Sequence, residues 1–220
     1  MRPLLIAAAL VAVSCPAGAQ QSSKDALARL GIKIVEPMSA KELARTKERI
    51  AAELARAGAA SFFEDISDAN GGRARHRPSG LVCPLGKKGQ QILAASADGA
   101  SCETRGEGAV YRIMVQRANA GATTESAAAA ALAGAQRQPG YAPGGGLAVI
   151  ARPKPGEGPE HRTLNYVSRV NGRERAYRVQ VGLVRGWILT EQRETKAGAQ
   201  PNLMSDLLGE ATFGLSMKQQ

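Results

Sequence analysis

Hydrophobic residues are spaced along this chain in two ways, and each spacing predicts one kind of element. Over residues 39–58 the spacing is helical. One face of this predicted helix carries the apolar residues Leu43, Ile50, Leu54 and Ala57. Ser39 and Glu42 have the spacing of a capping box, which satisfies two free backbone donors at a helix start. We therefore expect an N-terminal helix that serves as a packing element.

From residue 81 onward the period changes to the alternation that is typical of strands. Four short strands are predicted, over residues 81–85, 90–96, 100–104 and 109–117. In the last of them, Tyr111, Ile113 and Val115 share one face. The polar turns between the earlier strands favour antiparallel neighbours.

Asn171-Gly172 is the strongest hairpin signal in the chain, because both residues tolerate positive φ. It predicts a hairpin of residues 161–170 and 173–184, and a third strand then follows over 187–193. The middle strand alternates between apolar and polar side chains. Its apolar positions are Tyr177, Val179, Val181 and Leu183, and its polar ones are Arg178 and Gln180. We expect one face to be buried and the other to be wet or lightly covered.

Helices are also predicted between and after the strands. Thr123-Thr124 precede an alanine-rich helix to about Arg137, and Asn202 begins another to about Met217. A strand over 147–152 lies between these helices. The whole order predicts an α+β class: an antiparallel sheet with helices packed on it, preceded by an N-terminal helix. We assign it to a single domain over 39–220, after a polar lead-in over 20–38.

The element order resembles the α/β/α sandwich of the PsbP/Mog1 type. A second resemblance rests on Phe63-Glu64, residues 76–83 (HRPSGLVC), Cys102 and Val110-Tyr111. This pattern resembles one in small secreted alphaproteobacterial proteins of unknown function. It implies secretion and no particular activity.

Residues 1–19 have the pattern of a bacterial secretory signal peptide. A basic start precedes the apolar run Leu4–Val13, and Ala17-Gly18-Ala19 forms a small-x-small cleavage site. Cleavage after Ala19 predicts a periplasmic or secreted protein. In the alternative interpretation Cys15 is lipidated, and the protein is a lipid-anchored accessory factor. No second long apolar stretch follows, so we expect no transmembrane segment after removal of the signal.

Cleavage leaves two cysteines, Cys83 and Cys102, and an oxidising compartment favours a disulfide between them. In a simple meander of the first three strands these residues would be about 10 Å apart, or two strand spacings. A disulfide requires Cα atoms within about 7 Å. We therefore predict that 81–85 and 100–104 are neighbours, and that 90–96 does not separate them.

The chain is basic, with a formal net charge of +10. Its Lys and Arg residues are scattered along the chain, and an envelope location disfavours nucleic acid as a partner. The expected anionic partners are envelope components or proteins. One candidate patch for such a partner comprises Arg73, Arg75, His76, Arg77, Lys87 and Lys88. The alternative is ordinary solvated loop charge.

The motifs of catalysis and cofactor binding are missing from the sequence. There is no Gly-x-Ser-x-Gly or Ser-x-x-Lys motif. His76 beside Ser79 is the one Ser/His proximity, and we interpret His76 as an exposed loop residue. The glycines of 80–88 and 144–146 are interpreted as turns rather than phosphate loops. We assign no catalytic residues and no cofactor.

We assign no metal site either. Two isolated histidines with paired cysteines do not make a zinc site. The acids Glu64, Asp65 and Asp68 lack the spacing of an EF-hand, so we interpret them as loop-capping acids.

These observations favour a non-catalytic periplasmic protein that binds an envelope component or a protein partner. One alternative is a small enzyme whose site is assembled from Arg, Tyr, Glu and Asp residues distant in sequence. A deep pocket with two converging acids of perturbed pKa would favour the enzyme. Trp187, the single tryptophan, is predicted to be a core or rim aromatic beside Tyr177 or Tyr166.

Overall fold

The computed structural model describes residues 37–106, 108–144 and 160–196. Several predictions lie outside the described residues. They are the signal peptide over 1–19 with Cys15, nearly all of the lead-in over 20–38, the strand over 147–152 and the helix from Asn202.

The described chain contains two helices and two antiparallel sheets. The helices are α1 (Ala40–Arg56) and α2 (Thr124–Gln136). The small sheet has the order β1-β2-β3, with β1 (Phe63–Asp65), β2 (Arg73–His76) and β3 (Val82–Pro84). The large sheet has the order β4-β5-β6-β10-β9-β8-β7, with β4 (Gln90–Ser96), β5 (Gly99–Gly106), β6 (Ala109–Arg117), β7 (Ala142–Pro143), β8 (His161–Val170), β9 (Arg173–Val184) and β10 (Trp187–Lys196). The predicted α+β class, with an N-terminal helix before the sheets, is confirmed.

Local signals in the sequence account for the element boundaries. Ser39 and Glu42 form the capping box of α1, and Thr123 and Ser126 form an equivalent one on α2. The turn between β8 and β9 has φ of 50° at Asn171 and 72° at Gly172, as a type I′ hairpin requires. Neither described helix combines the length and the apolar character that a membrane crossing requires.

The cross-strand register assigns the side chains of the large sheet to two faces. One face, here the cysteine face, carries Ile92, Cys102, Ile113 and Leu189. The other, here the arginine face, carries the cross-strand row Gln91, Glu103, Arg112, Gln192, Val179 and Leu164. Paired residues in an antiparallel sheet point to the same side, so each row belongs to one face.

Each face is covered over a different part of its width. On the cysteine face, α1 and the small sheet bury a core over β4, β5, β6 and β10, to which Ile50, Phe63 and Leu81 contribute. On the arginine face, α2 packs on β8 and β9 and buries Leu164, Tyr166, Val179 and Val181. This staggered cover leaves β5, β6 and β10 without a helix on the arginine face among the described residues.

The polar side of β9 differs from the prediction at Gln180. Its side chain is buried, beside the buried Thr163 and Glu191 of its own cross-strand row. The expectation of a wet or lightly covered face is therefore wrong at this row. Alternation in a sequence assigns the side chains of a strand to two faces. It does not show which of the polar side chains are buried by neighbouring residues.

A disulfide joins the two sheets. Cys83 lies on β3 and Cys102 on β5, and their Cα atoms are 6.0 Å apart. Strand β4 pairs with the outer side of β5, so it does not separate the cysteines. The strands of the two cysteines are neighbours because the sheets are stacked, not because they share a hydrogen-bonded ladder. The simple meander was therefore the wrong geometry.

Removal of the disulfide tests its contribution to stability. The double variant Cys83→Ala/Cys102→Ala should lower the free energy of unfolding by about 3 kcal/mol, because the bond closes a loop with a sequence separation of 19 residues. Urea unfolding with and without a reductant measures the effect. The reductant should destabilise the native protein and leave the stability of the double variant unchanged. If the native protein and the double variant are equally stable under oxidising conditions, the disulfide does not contribute the expected stability.

Candidate functional site

The structure separates the members of the predicted basic patch. Alternation along β2 places Arg73 and Arg75 on one side and His76 on the other, where it is fully buried. Arg75 pairs with Glu64 at 2.5 Å, and Arg77 lies 3.9 Å from the same carboxylate. Arg73 pairs with Asp68 at 2.6 Å.

Only Lys87 and Lys88, in the turn after β3, remain as exposed lysines of that patch. Two carboxylates offset the charge of its three arginines, and its histidine faces the core. The patch is therefore not one cationic surface. Its sequence signal was a local run of basic residues, which carries no information about acids that lie across neighbouring strands.

Of the three acids expected to cap loops, Asp65 and Asp68 do so, whereas Glu64 lies on β1 and pairs with Arg75. Asp65 accepts hydrogen bonds from the backbone and hydroxyl of Ser67, and Asp68 accepts one from the backbone of Asn70. The hydrogen bond from the backbone amide of Asn70 is the main reason that the pKa of Asp68 is lowered from its usual value. No cluster of three potential metal ligands occurs within the described ranges.

His76 is a core residue with two fixed hydrogen bonds, not an exposed loop residue. Its Nε2 lies 2.8 Å from the carbonyl oxygen of Ser96, and its Nδ1 lies 2.8 Å from Oγ of Ser79. The carbonyl can only accept, so Nε2 carries the proton and Nδ1 accepts from the Ser79 hydroxyl. The rings of Phe63 and Trp187 pack against the imidazole, with centroids 5.2 and 6.1 Å away.

This Ser/His pair lacks the access that a nucleophile needs. Ser79 is buried, and its Oγ also accepts the backbone amide of Leu81. Burial lowers the pKa of His76, which the bond to Ser96 offsets only in part. The pair therefore closes the turn between β2 and β3 and ties it to β4.

The edge strand β4 is bonded by side chains from two other elements. Besides His76 at the carbonyl of Ser96, Glu53 of α1 accepts the backbone amide of Ile92 at 2.8 Å. A bulge at Leu93 separates the two positions. Two backbone groups on the outer side of this strand, the amide of Ile92 and the carbonyl of Ser96, thus have hydrogen-bond partners.

Trp187 belongs to the core between the sheets. Beside His76, its ring is covered by the guanidinium of Arg117 at 4.6 Å. Tyr166 and Tyr177 instead stack on each other on the arginine face, with centroids 4.7 Å apart. The prediction of a core or rim aromatic agrees with this position, but the expected tyrosine neighbours lie on the opposite side of the sheet.

A chain of ion pairs crosses the arginine face. It runs from Arg105 to Glu103 at 2.5 Å, to Arg112 at 2.7 Å, to Glu194 at 3.4 Å and to Arg175 at 3.8 Å. Four neighbouring strands, β5, β6, β10 and β9, contribute these five residues. Lys196 and Arg173 project from the same face beside Arg175, the last residue of this series of ion pairs.

Glu103 anchors this chain. It is only 2% exposed and accepts hydrogen bonds from Gln91, Arg105 and Arg112. Burial raises the pKa of the carboxyl, but these three donors outweigh that effect and the net pKa is lowered. Glu103 is therefore held as a carboxylate, which suits an ion-pair anchor and not a proton donor.

A half-open cavity of about 560 Å³ lies at the hairpin end of this face. Its lining residues are Asn171, Arg173, Arg175, Tyr177 and Glu194. Among the described residues, Glu194 is the one carboxylate that lines it, whereas the enzyme alternative called for two converging acids. Burial and the nearby Glu194 raise the pKa of Tyr177, so its hydroxyl stays protonated at neutral pH.

These residues carried only a weak sequence signal. Glu103 and Arg112 stand at polar positions of predicted strands, and Arg105 follows the end of one. Arg112 and Glu194 are 82 residues apart. Arg162 lies on the same face but beneath α2, where it pairs with Glu125 and Glu160. It is buried, so it is not part of the accessible charge.

Comparisons with known proteins give little further information. No family model and no curated protein matches the chain. PA94 from Pseudomonas aeruginosa, a protein of unknown function with a proposed regulatory role, has a TM-score of 0.37 and 16% identity, over 60% of this chain and 87% of its own. LpqN from Mycobacterium tuberculosis, involved in cell envelope biogenesis, has a TM-score of 0.29 and 12% identity, over 60% and 79%. At this similarity, neither structure supports an argument about function.

The buried imidazole predicts a pH dependence of stability. The pKa of His76 is lowered in the folded protein, so below about pH 6.5 the unfolded chain takes up a proton that the native state resists. Stability should therefore fall as the pH drops from 7 to 5. His76→Gln keeps a donor for Ser96 but does not titrate, so it should lose this slope. Urea midpoints at pH 5, 6, 7 and 8 measure it.

The other histidine provides the matched control for this experiment. The stability of His161→Gln should change between pH 5 and 7 in the same way as the stability of the native protein. A His76→Gln variant with the same slope as the native protein would show that another group is responsible.

Proposed function

We propose that this protein acts by binding, not by catalysis, and that its partner is an anionic component of the bacterial envelope or an anionic protein. The arginine face is the surface that engages this partner. One observation carries the proposal: among the described residues, the part of this face beyond α2 holds five cations, Arg105, Arg112, Arg173, Arg175 and Lys196, against the two carboxylates Glu103 and Glu194.

The fixed geometry of this face supports binding. Arg112 is held between Glu103 and Glu194, and Arg105 is 60% exposed although its Nε is bonded to Glu103. Guanidinium groups have several donors in one plane, so a guanidinium positioned by one carboxylate still has donors for another anion. A rigid cationic surface loses little side-chain entropy when it binds.

The cellular compartment is part of the proposal. A disulfide between Cys83 and Cys102 is compatible with an oxidising envelope compartment. Cleavage after Ala19 would release the protein into this compartment, whereas lipidation of Cys15 would give a membrane-anchored form.

The mature N-terminus decides between these two forms. We expect protein recovered from the periplasm to begin at Gln20, because Ala17-Gly18-Ala19 fits a signal-peptidase site. Intact mass and N-terminal sequencing measure this. A mature chain that begins at an acylated Cys15, with loss of the acyl mass in Cys15→Ser, would contradict it.

A polyanion probe tests the arginine face. Dextran sulfate should bind the native protein, neutral dextran of equal length should not, and added salt should weaken the binding. Arg105→Gln/Lys196→Gln should weaken it by roughly tenfold, because each exposed ion pair contributes up to about 1 kcal/mol. Isothermal titration calorimetry gives the affinities.

The matched control removes the same charge from the patch predicted by sequence. Arg75→Gln/Lys88→Gln should bind dextran sulfate nearly as the native protein does, since Arg75 lies on β2 of the small sheet, which packs on the opposite, cysteine face. Equal losses in both double variants would show a response to net charge alone and would refute the proposal. Turnover of p-nitrophenyl esters that is lost in Ser79→Ala would also refute it, in favour of an enzyme.

A further inference from the structure

The cavity on the arginine face has the chemistry of a site for a small polar molecule. Arg173, Arg175 and Tyr177 are alternate residues of β9, so their side chains project to the same side, and Glu194 stands directly opposite Tyr177 on β10. Four of the five lining residues are charged or carry an amide. The volume of about 560 Å³ falls within the range of small-molecule sites, but the lining favours a polar ligand.

Two guanidinium groups in this cavity remain available to an anion. Arg173 is exposed and has no carboxylate partner among the described residues. Arg175 has only a loose contact with Glu194, at 3.8 Å. A carboxylate suits such a pair, because its two oxygens match the planar donor fork of arginine.

Glu194 restricts what else the ligand carries. Within the cavity, a second anionic group close to the first would lie beside this carboxylate, and that like-charge contact is unfavourable. A ligand with hydroxyl groups can instead donate hydrogen bonds to it. An ammonium group is a poorer match, because Arg112 and Arg175 already supply positive charge to Glu194.

Tyr177 supplies the remaining surface of the cavity. Its ring is fixed in orientation by stacking on Tyr166, which is itself buried and bonded through its hydroxyl to Gln138. A fixed aromatic ring provides apolar contact area together with a hydroxyl group. The apolar side of a sugar ring is a suitable partner for such a surface.

We infer that this cavity binds an acidic saccharide, in which a carboxylate contacts Arg173 and Arg175, hydroxyl groups donate to Glu194, and the sugar ring lies against Tyr177. The inference rests on the proposed function, since it specifies one class of anionic ligand for the arginine face. Beyond the proposed function, the inference states that the cavity recognises the hydroxylated sugar ring as well as the negative charge.

Three probes separate charge from ring recognition. Trigalacturonate supplies carboxylates on sugar rings, maltotriose supplies neutral rings, and citrate supplies carboxylates without a ring. Isothermal titration calorimetry at fixed ionic strength should show trigalacturonate binding at least about tenfold more tightly than either of the others, because loss of a charge-assisted contact costs about that factor.

Two arginines of the same hairpin provide the variant and its control. Arg173→Gln changes the cavity, whereas Arg169→Gln removes an exposed arginine that pairs with Glu174 on the opposite face. Both side chains are exposed, so both variants should fold. Arg173→Gln should weaken trigalacturonate binding at least about tenfold, and Arg169→Gln should leave it unchanged.

The outcomes distinguish this inference from the proposed function. If dextran sulfate binds but trigalacturonate binds no better than citrate or maltotriose, the inference is wrong and the proposed function stands. Equal loss in the Arg173 and Arg169 variants also overturns the inference. If neither dextran sulfate nor trigalacturonate binds the native protein, both proposals fail.

Discussion

The bond between Cys83 and Cys102 is the constraint on which the packing of the two sheets depends. The strands of the small sheet contain only three or four residues each, too few to form a stable unit alone. The disulfide fixes this sheet against β5, and His76 fixes its turn against β4. The larger apolar core, which includes Trp187 and both cysteines, packs between the large sheet and the cover formed by the small sheet and α1. A short sheet is thereby made a rigid cover for one face of the large one.

The arginine face follows from how that cover is arranged. The small sheet and α1 occupy the cysteine face, and α2 covers the other face only over β8 and β9. Side chains that alternate with the core residues of β5, β6 and β10 therefore point away from α1 and the small sheet, onto the part of the arginine face that α2 does not cover. Ionised residues at such positions need partners because they are close together on a flat surface, and Glu103 and Glu194 supply them. The same arrangement that builds the core leaves an ordered, positively charged surface on its reverse side.

The sequence predicted the elements that depend on local chemistry. The capping box at Ser39 and the hairpin at Asn171-Gly172 involve residues close in the chain, and their boundaries agree with the structure. It did not predict two sheets, because the pairing of strands is decided by contacts between distant segments. For the same reason His76 was interpreted as an exposed residue: its partner Ser96 is 20 positions away. The ion pair of Arg112 and Glu194 spans a still longer separation, so no local pattern reveals it.

The two side chains that bond the outer edge of β4 have a consequence for self-association. An uncovered edge strand is a template on which a second chain can add by backbone pairing, the route to aggregates. Glu53 occupies the amide of Ile92 and His76 the carbonyl of Ser96, and the bulge at Leu93 interrupts the regular spacing between them. Glu53 reaches the edge only after α1 has docked, across 39 positions of sequence. Docking of this helix therefore occupies the backbone amide of Ile92, and a chain in which α1 has not yet docked still presents this donor to other chains.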